Sequence, residues 1–417
     1  MYKKEILPNG IRIVTEEMPY VRSVSIGIWV AAGSRDENET NSGVAHFIEH
    51  MMFKGTGKRS AKAIAETLDA VGGQLNAFTS KEYTCYYTKV LDEFLDISID
   101  LLSDMFFNSA FDEDEIEKEK NVIIEEIKMY EDAPDELVHD IFANTIWSGH
   151  ALGRPVIGTA EIIRQMGKKD IVSFKDNLYL PESIVVAVAG NIKHEDVISK
   201  LAPLFGGLKK KTAKRKYTAP QAQSSVSFKK KDIEQVHLCI GTPGLSLDHE
   251  NIYVLHVMNS VLGGGLSSRL FQEIREERGL AYSVYTYHSS YRDAGLFSVY
   301  AGLSKKNLKR VVSLISKEMK SLRANGVTKK ELVRAKEQLK GSLFLGLENV
   351  SNRMSRLGKS ELCLNRVVTV EEAVERINAV SLDDVKDLAR RLFKSDNIVV
   401  SSIGPELEEK QLNIRID

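Results

Sequence analysis

The feature that most constrains the fold of this chain is an internal repeat. The segment from Glu161 to Gly190 aligns without a gap on the segment from Glu375 to Gly404, and each predicts two short helices followed by a buried strand. Earlier segments correspond under slightly different offsets, as loop insertions would produce. A sequence that repeats itself over about 200 residues predicts two homologous domains rather than one continuous core.

A polar, basic stretch separates the two halves of the sequence. Residues 206–225 are rich in lysine and arginine and lack apolar periodicity, which is typical of an exposed linker. We therefore predict a first domain at 1–210, a linker at 211–225 and a second domain at 226–417. Because no basic face surrounds this stretch, a solvated linker is a better interpretation than a patch that binds nucleic acid.

Each half mixes strand and helix patterns. Residues 24–30 alternate in polarity, as a half-buried strand does, and residues 83–89 form another candidate strand. Apolar side chains recur at helical spacing in residues 94–105 and 311–322. Strands cluster and helices follow in pairs. This order predicts an α+β fold of two domains, each with a mostly antiparallel sheet packed against helices.

Composition excludes several classes of function. The chain has 57 basic and 58 acidic residues, so its charge favours neither nucleic acid nor an anionic membrane as a partner. No run of about 18 apolar residues occurs, and we expect no membrane span. The first residues resemble neither a signal nor a transit peptide. The three cysteines are too few and too widely spaced for a disulfide framework, so we expect a cytoplasmic protein with reduced thiols.

A metal-binding motif lies in the first half, in the segment GVAHFIEHMMFKGT. His46 and His50 are four residues apart, so on a helix both imidazoles lie on one face and can bind the same ion. Glu49 lies on the same side and is free to act on a water molecule. The pattern H-x-x-E-H is a zinc-enzyme signature. The alternative, a surface helix that carries histidines by chance, does not suit the apolar residues around the motif.

A catalytic zinc ion requires one more protein ligand, which we expect on an acidic helix at 111–132. Its acidic start suits a helix N-terminus. Glu119 and Glu126 lie two turns apart on one stripe, where one carboxylate can reach the ion and the other can orient a ligating histidine. The residues alone do not distinguish Glu126 from Glu125 or Glu117 as the ligand.

The chain resembles a known family of zinc enzymes. The segments HFIEHMMFKGT, GGQLNAFTSKEYTCYY and EKEKNVIIEEI are similar, in this order, to those of the M16 peptidases related to the β subunit of the mitochondrial processing peptidase. The similarity covers essentially the whole chain. It implies one Zn²⁺ ion per chain held by His46, His50 and Glu126, with Glu119 as a supporting glutamate. It also implies hydrolysis of peptide bonds, in which Glu49 is the general base for a zinc-bound water.

The second half is expected to lack a zinc site but to contribute to catalysis. It has no H-x-x-E-H motif, and the position related to Glu126 is Ser342. The resemblance implies that Arg275 and Tyr282 contact substrate at the zinc site, where both could donate to an oxyanion. A surface ion pair and a half-buried strand residue are the alternative interpretations. Because one chain carries both sets, we expect a homodimer in which each chain completes the other's site.

The resemblance also suggests how substrate binds. Asn76, Ala77 and Phe78 match the family segment that pairs with an extended peptide, although the same residues could form an ordinary strand. The enclosed chamber of the family favours unfolded peptides or precursor segments as substrates. The triplet Gly263–Gly265 lacks the ending of a phosphate loop and resembles a glycine-rich loop of the family. The sequence thus predicts a zinc-dependent endopeptidase, and the alternative is a catalytically silent structural or regulatory subunit of the same family.

Overall fold

The chain folds into two compact units. The computed structural model describes residues 2–211, 215–407, 412, 414 and 416. Neither unit is contiguous in the sequence. Unit 1 comprises Met1–Lys128, Pro155–Lys216 and Leu345–Val368, and unit 2 comprises Met129–Arg154, Tyr217–Phe344 and Thr369–Asp417.

Each unit is built on one β-sheet. Within the described residues the strands, in chain order, are β1 (Tyr2–Ile6), β2 (Arg12–Glu17), β3 (Ser23–Val30), β4 (Gln74–Thr79), β5 (Thr84–Leu91), β6 (Ile184–Gly190), β7 (Ser225–Lys230), β8 (Gln235–Pro243), β9 (Ala281–Ser290), β10 (Gly295–Ser304) and β11 (Val399–Gly404). The sheet of unit 1 has the order β1-β2-β6-β3-β5-β4, and the sheet of unit 2 has the order β7-β11-β8-β10-β9. The pairs β2–β6 and β7–β11 are parallel, and the other neighbours are antiparallel.

Helices pack against both sheets. In chain order they are α1 (Val44–Met51), α2 (Ala61–Asp69), α3 (Leu95–Asn108), α4 (Glu113–Asp132), α5 (Pro134–Ile146), α6 (Ala160–Gln165), α7 (Lys168–Leu178), α8 (His194–Phe205), α9 (Ile252–Gly263), α10 (Leu308–Asn325), α11 (Lys329–Gly346), α12 (Val350–Leu364), α13 (Val370–Ala379) and α14 (Leu382–Leu392). The predicted α+β class with mostly antiparallel sheets is confirmed. The repeated segment contains two helices and a strand in both halves, α6-α7-β6 and α13-α14-β11.

Each sheet is covered on one side by a helix from the other half of the sequence. Helix α12 packs against β2, β3 and β6 of unit 1, and α5 packs against β7, β8 and β11 of unit 2. Each compact unit therefore contains residues from both halves of the sequence. The boundaries at 1–210 and 226–417 remain a prediction about the repeat and do not describe the compact units.

Helix α12 is an exchanged helix, since it comes from the second half of the sequence and packs on the sheet formed by the first. Its position explains why strand β3 is more buried than the sequence predicts. The alternation at 24–30 predicts a half-buried strand, but β3 is buried along nearly its whole length. Its Ile26 and Ile28 belong to the core that contains α1. Trp29 points to the opposite face, where it packs with Met354 of α12. A central strand with helices on both faces is buried on both faces, whatever its alternation.

Two further features concern the thiols and the length of the helices. In the described part of the chain Cys85, Cys239 and Cys363 form no disulfide bond, and the first two are buried. Across the described part of the chain, every helix is too short or too polar to cross a bilayer.

Candidate metal centre

Helix α1, which carries the H-x-x-E-H motif, begins at a position that requires glycine. Gly43 has φ = +93°, and a Cβ atom there would lie 2.8 Å from the carbonyl oxygen of Ile157. The buried Glu37 carboxylate accepts hydrogen bonds from the N–H groups of Gly43 and Ala45, at 2.8 and 2.9 Å. A negative group at this end favours the helix. Glu37 was not predicted, because no spacing rule connects it to the motif.

The motif and helix α4 bring three ligand-type side chains together. One ligand atom from each of His46, His50 and Glu126 lies within 4.8 Å of the others. Glu126 Oε2 is 3.5 Å from His50 Nε2 and 3.9 Å from His46 Nε2. Among the residues that the structure describes, no other group of three histidine, cysteine, aspartate or glutamate side chains is arranged to hold a metal ion. The predicted ligands therefore converge on one point.

The sequence left three glutamates as candidates for the third ligand, and the structure distinguishes between them. Glu117 and Glu125 pair with lysines one turn further along α4, Lys120 at 2.6 Å and Lys128 at 2.7 Å. Glu126 instead faces the two histidines, with its side chain 46% exposed. Helix α4 thus directs one of the three carboxylates at the motif.

Glu119, the residue predicted to be a supporting glutamate, lies behind His50. Its Oε1 is 2.8 Å from His50 Nδ1, and its Oε2 is 2.6 Å from Lys54 Nζ. Burial alone would raise the pKa of Glu119, but the hydrogen bonds from His50 and Lys54 outweigh burial and hold the pKa below its usual value. An ionised Glu119 accepts a hydrogen bond from the Nδ1–H group of His50, which leaves Nε2 free as a ligand. Lys54 was missed in the sequence, because a lone lysine carries no metal-site signal.

The protonation state of His46 also suits a metal ligand. Burial, and secondarily the proximity of His50, lowers the pKa of His46 to about 3. Its imidazole is therefore neutral at physiological pH, as a metal ligand must be. Two imidazoles and one carboxylate form a donor set that catalytic zinc sites use, with a further position open. The residues present therefore fit a Zn²⁺ ion.

Glu49 lies on helix α1, and its carboxylate accepts a hydrogen bond from a residue of the sheet. The Thr79 hydroxyl donates a hydrogen bond of 2.5 Å to Glu49 Oε2. Burial raises the pKa of the Glu49 carboxyl, and the Thr79 hydrogen bond opposes only part of that increase. A raised pKa suits a group that takes up a proton during a reaction. Thr79 was also missed in the sequence, because no spacing connects it to the motif.

The predicted peptide-binding residues lie on β4, one of the two edge strands of the unit 1 sheet. The N–H group of Ala77 donates to the side-chain oxygen of Asn76, at 2.8 Å. Phe78 points away from Glu49, since its ring packs edge-on against Trp29 with the ring centres 5.5 Å apart. Thr79 and Phe78 thus occupy opposite faces of the sheet, as neighbouring strand residues do.

The predicted Arg/Tyr pair lies together in unit 2. The Arg275 guanidinium carbon is 4.9 Å from the centre of the Tyr282 ring and 4.8 Å from that of Phe271. Tyr282, near the start of the edge strand β9, is 80% exposed. Arg275 and the glycines Gly263–Gly265 line the same surface cleft of about 440 Å³. The two side chains predicted to act together are therefore neighbours.

Comparison with known proteins assigns the chain to a family. The family described as insulinase (peptidase family M16) matches residues 12–160, and the one described as peptidase M16 inactive domain matches residues 165–339. The chain belongs to the M16 peptidase family. The resemblance noted in the sequence is thereby confirmed, and helices α1 and α4, which carry the converging side chains, lie in the first M16 region.

Several M16 relatives match over nearly their full length. The Bacillus subtilis protein named uncharacterized zinc protease YmxG is 48% identical, with 95% of this chain and 97% of the relative covered. A Streptomyces coelicolor protein, uncharacterized zinc protease SCO5738, is 44% identical, with 98% and 90% covered. The crystal structure of a protease from Helicobacter pylori has a TM-score of 0.89 at 24% identity, with 97% and 99% covered, which shows a shared fold.

Proposed function

We propose that this M16 protein is a zinc-dependent endopeptidase in which Glu49 is the general base. The convergence of His46, His50 and Glu126 beside the half-buried Glu49 is the observation that carries the proposal. The donor set suits zinc, and relatives of this chain are named zinc proteases. We propose one Zn²⁺ ion per chain, because the described residues of the second half contribute no second group of ligands.

The side chains of the site have different roles in the proposed reaction. A bound Zn²⁺ ion supplies Lewis acidity, which polarises a peptide carbonyl and makes water more acidic. His46, His50 and Glu126 hold the ion, and Glu119 keeps the Nδ1 proton of His50 in place so that Nε2 remains a ligand. Glu49 takes the proton of the attacking water on its carboxylate and later donates it to the nitrogen of the leaving amine.

The proposed substrate is an extended polypeptide. Among the described strands β4 has a neighbour on one side only, and a peptide added on its other side would be held through its backbone with little demand on its sequence. Thr79, at the end of the same strand, contacts Glu49, so a peptide at this edge would lie near the proposed base. Unfolded peptides or precursor segments can add as a strand, because their backbone groups are not already paired. Cytoplasmic location remains a prediction from the sequence.

Metal removal is the direct test of this function. We expect the purified protein to cleave members of a mixed library of unstructured peptides, as read by mass spectrometry. Cleavage should stop after treatment with a chelator and return when Zn²⁺ is added, because the histidines and Glu126 activate water only through the bound ion. A protein that binds zinc yet leaves every peptide intact would instead support a catalytically silent subunit.

We further propose a homodimer in which Arg275 and Tyr282 of each chain act at the zinc site of the partner. Both the zinc motif and the Arg/Tyr pair are intact in this chain. Tyr282 is exposed and its ring is held against the Arg275 guanidinium, so the pair is available to a second molecule or its substrate. A guanidinium and a phenol are suitable donors to a developing oxyanion.

Mixing two inactive variants tests whether the pair acts in trans. We expect Glu49→Gln chains and Arg275→Ala chains, each inactive alone, to recover about a quarter of the wild-type activity after subunit exchange, because half of randomly mixed dimers are heterodimers with one intact site. Peptide cleavage is measured before and after mixing, and size-exclusion chromatography with light scattering confirms exchange-competent dimers. Exchange without any recovery would show that the pair does not act across the interface.

A further inference from the structure

We infer that Thr79 is a positioning residue that fixes the Glu49 carboxylate and connects it to the peptide-binding edge of the sheet, an inference that rests on the proposed function. Nothing in the H-x-x-E-H motif indicates such a residue, because Thr79 lies 30 residues further along the chain. The inference depends on three features, which are the partner of Glu49, the support behind Thr79, and the place of Thr79 in β4.

The first feature is that Glu49 depends on one hydrogen-bond donor. Among the described side chains, Thr79 is the single donor to the Glu49 carboxylate, with its hydroxyl 2.5 Å from Oε2. Glutamate has three rotatable side-chain bonds and is free to leave a productive orientation unless something holds it. The bond occupies one carboxylate oxygen and leaves the other for water.

The second feature is the rigidity of the support behind Thr79. Thr84, across the β4–β5 pairing from Thr79, is fully buried. Its hydroxyl donates to the Ala32 carbonyl oxygen at 2.9 Å and lies 3.5 Å from Thr79 Oγ1. Threonine is also stiff at its first side-chain torsion. Thr79 is therefore paired with a buried residue of the neighbouring strand that is itself fixed by a hydrogen bond.

The third feature is that Thr79 belongs to the strand at which a peptide would bind. It is the last residue of the edge strand β4, three positions after Asn76. A peptide that pairs with this edge adds backbone hydrogen bonds to the same strand and reduces its motion. Substrate binding would then steady the hydroxyl that orients the general base, and so the base would be best placed when a peptide is present.

The consequence concerns the rate of the chemical step rather than substrate affinity. Misplacement of a catalytic group by about 1 Å can lower a rate by up to about a hundredfold. Thr79→Val removes the hydroxyl and keeps the branched shape, so the backbone edge that pairs with the peptide is retained. We expect kcat to fall at least about tenfold, with KM changed less than about twofold. Thr79→Ser, which restores the hydroxyl, should recover kcat to within about threefold.

Three measurements on the full-length protein test this inference. Steady-state kinetics on a cleaved peptide separate kcat from KM for the wild-type, Thr79→Val and Thr79→Ser proteins. Competition with a chromophoric chelator gives the Zn²⁺ affinity, which we expect to be equal in all three. A crystal structure of metal-free Thr79→Val should show the Glu49 carboxylate displaced from its place beside residue 79.

The matched control is Thr88→Val. Thr88 is a buried threonine on the neighbouring strand β5, and its hydroxyl has no hydrogen-bond partner among the described residues. The same loss of a hydroxyl there should leave kcat unchanged. The inference is overturned if Thr79→Val keeps kcat within twofold of the wild type, or if Thr79→Ser is as slow as Thr79→Val. If the wild-type protein cleaves no peptide, the proposed function fails on its own, and an undisplaced Glu49 in the Thr79→Val crystal would still overturn the positioning role.

Discussion

Glu49→Gln keeps its zinc and loses at least about a hundredfold in kcat, the scale expected when a general base is removed. Glutamine has nearly the shape of glutamate, and its amide oxygen can still accept the hydrogen bond from Thr79. It cannot take up a proton at physiological pH. Because the three converging ligands do not include Glu49, the metal site remains intact. Peptide cleavage rates and zinc content by mass spectrometry, measured on the same preparation, check both parts of the expectation.

The matched control is Glu125→Gln, which makes the same chemical change on helix α4. Glu125 neighbours Glu126 in sequence but pairs with Lys128 at 2.7 Å, away from the histidines. We expect it to retain both zinc and activity. A Glu49→Gln protein that bound zinc and cleaved peptides within a few-fold of the wild-type rate would remove Glu49 from the mechanism, and the converging histidines would then need another base.

The parts of the site that were predicted from sequence are those that follow a local period. The spacing of His46 and His50 depends on one helical turn, and that of Glu119 and Glu126 on two, so each pair could be assigned to one face of its helix from the spacing alone. The choice of Glu126 over its neighbours needed either the family resemblance or the coordinates, because adjacent glutamates on a solvated helix look alike in the sequence.

The residues that support the ligands were not predicted. Glu37 at the start of α1, Lys54 behind Glu119 and Thr79 behind Glu49 all make their contacts through side chains that no period relates to the motif. Each is an ordinary polar residue whose role is set by tertiary packing. Outer residues of this kind commonly determine ligand orientation, which is why a list of ligands describes a metal site incompletely.

The exchange of helices between the halves was missed for a similar reason. The repeat predicts two self-contained domains, and nothing in the sequence of α12 indicates that it packs on the sheet of the other half. Its glycine at 358 would be unfavourable by about 1 kcal/mol relative to alanine in an ordinary helix. In the structure this glycine lies directly against Trp29, so that the helix backbone approaches the indole ring closely.

Gly358→Ala should therefore destabilise unit 1, although alanine is the better helix former. A Cβ atom at 358 would lie 2.5 Å from Cδ1 of Trp29. The ring is 1% exposed and packs against Phe78 and Tyr83, with ring centres 5.5 and 5.6 Å away, so it has no room to retreat. Overpacking of a filled core typically costs about 1–3 kcal/mol. We expect a lower melting temperature, and faster hydrogen exchange in α12 and β3.

Gly341→Ala in helix α11 is the opposing control, because the added methyl group there meets no atom within 4 Å. Because no clash opposes it, the higher helix propensity of alanine determines the change in stability. This variant should be more stable than the wild type by about 0.5–1 kcal/mol. The glycine-to-alanine change would then lower stability in α12 and raise it in α11. Helix propensity alone predicts an increase in both helices. A Gly358→Ala protein as stable as Gly341→Ala would mean that α12 does not press against Trp29 in solution, and the exchanged helix would lose its role as the cover of the unit 1 sheet.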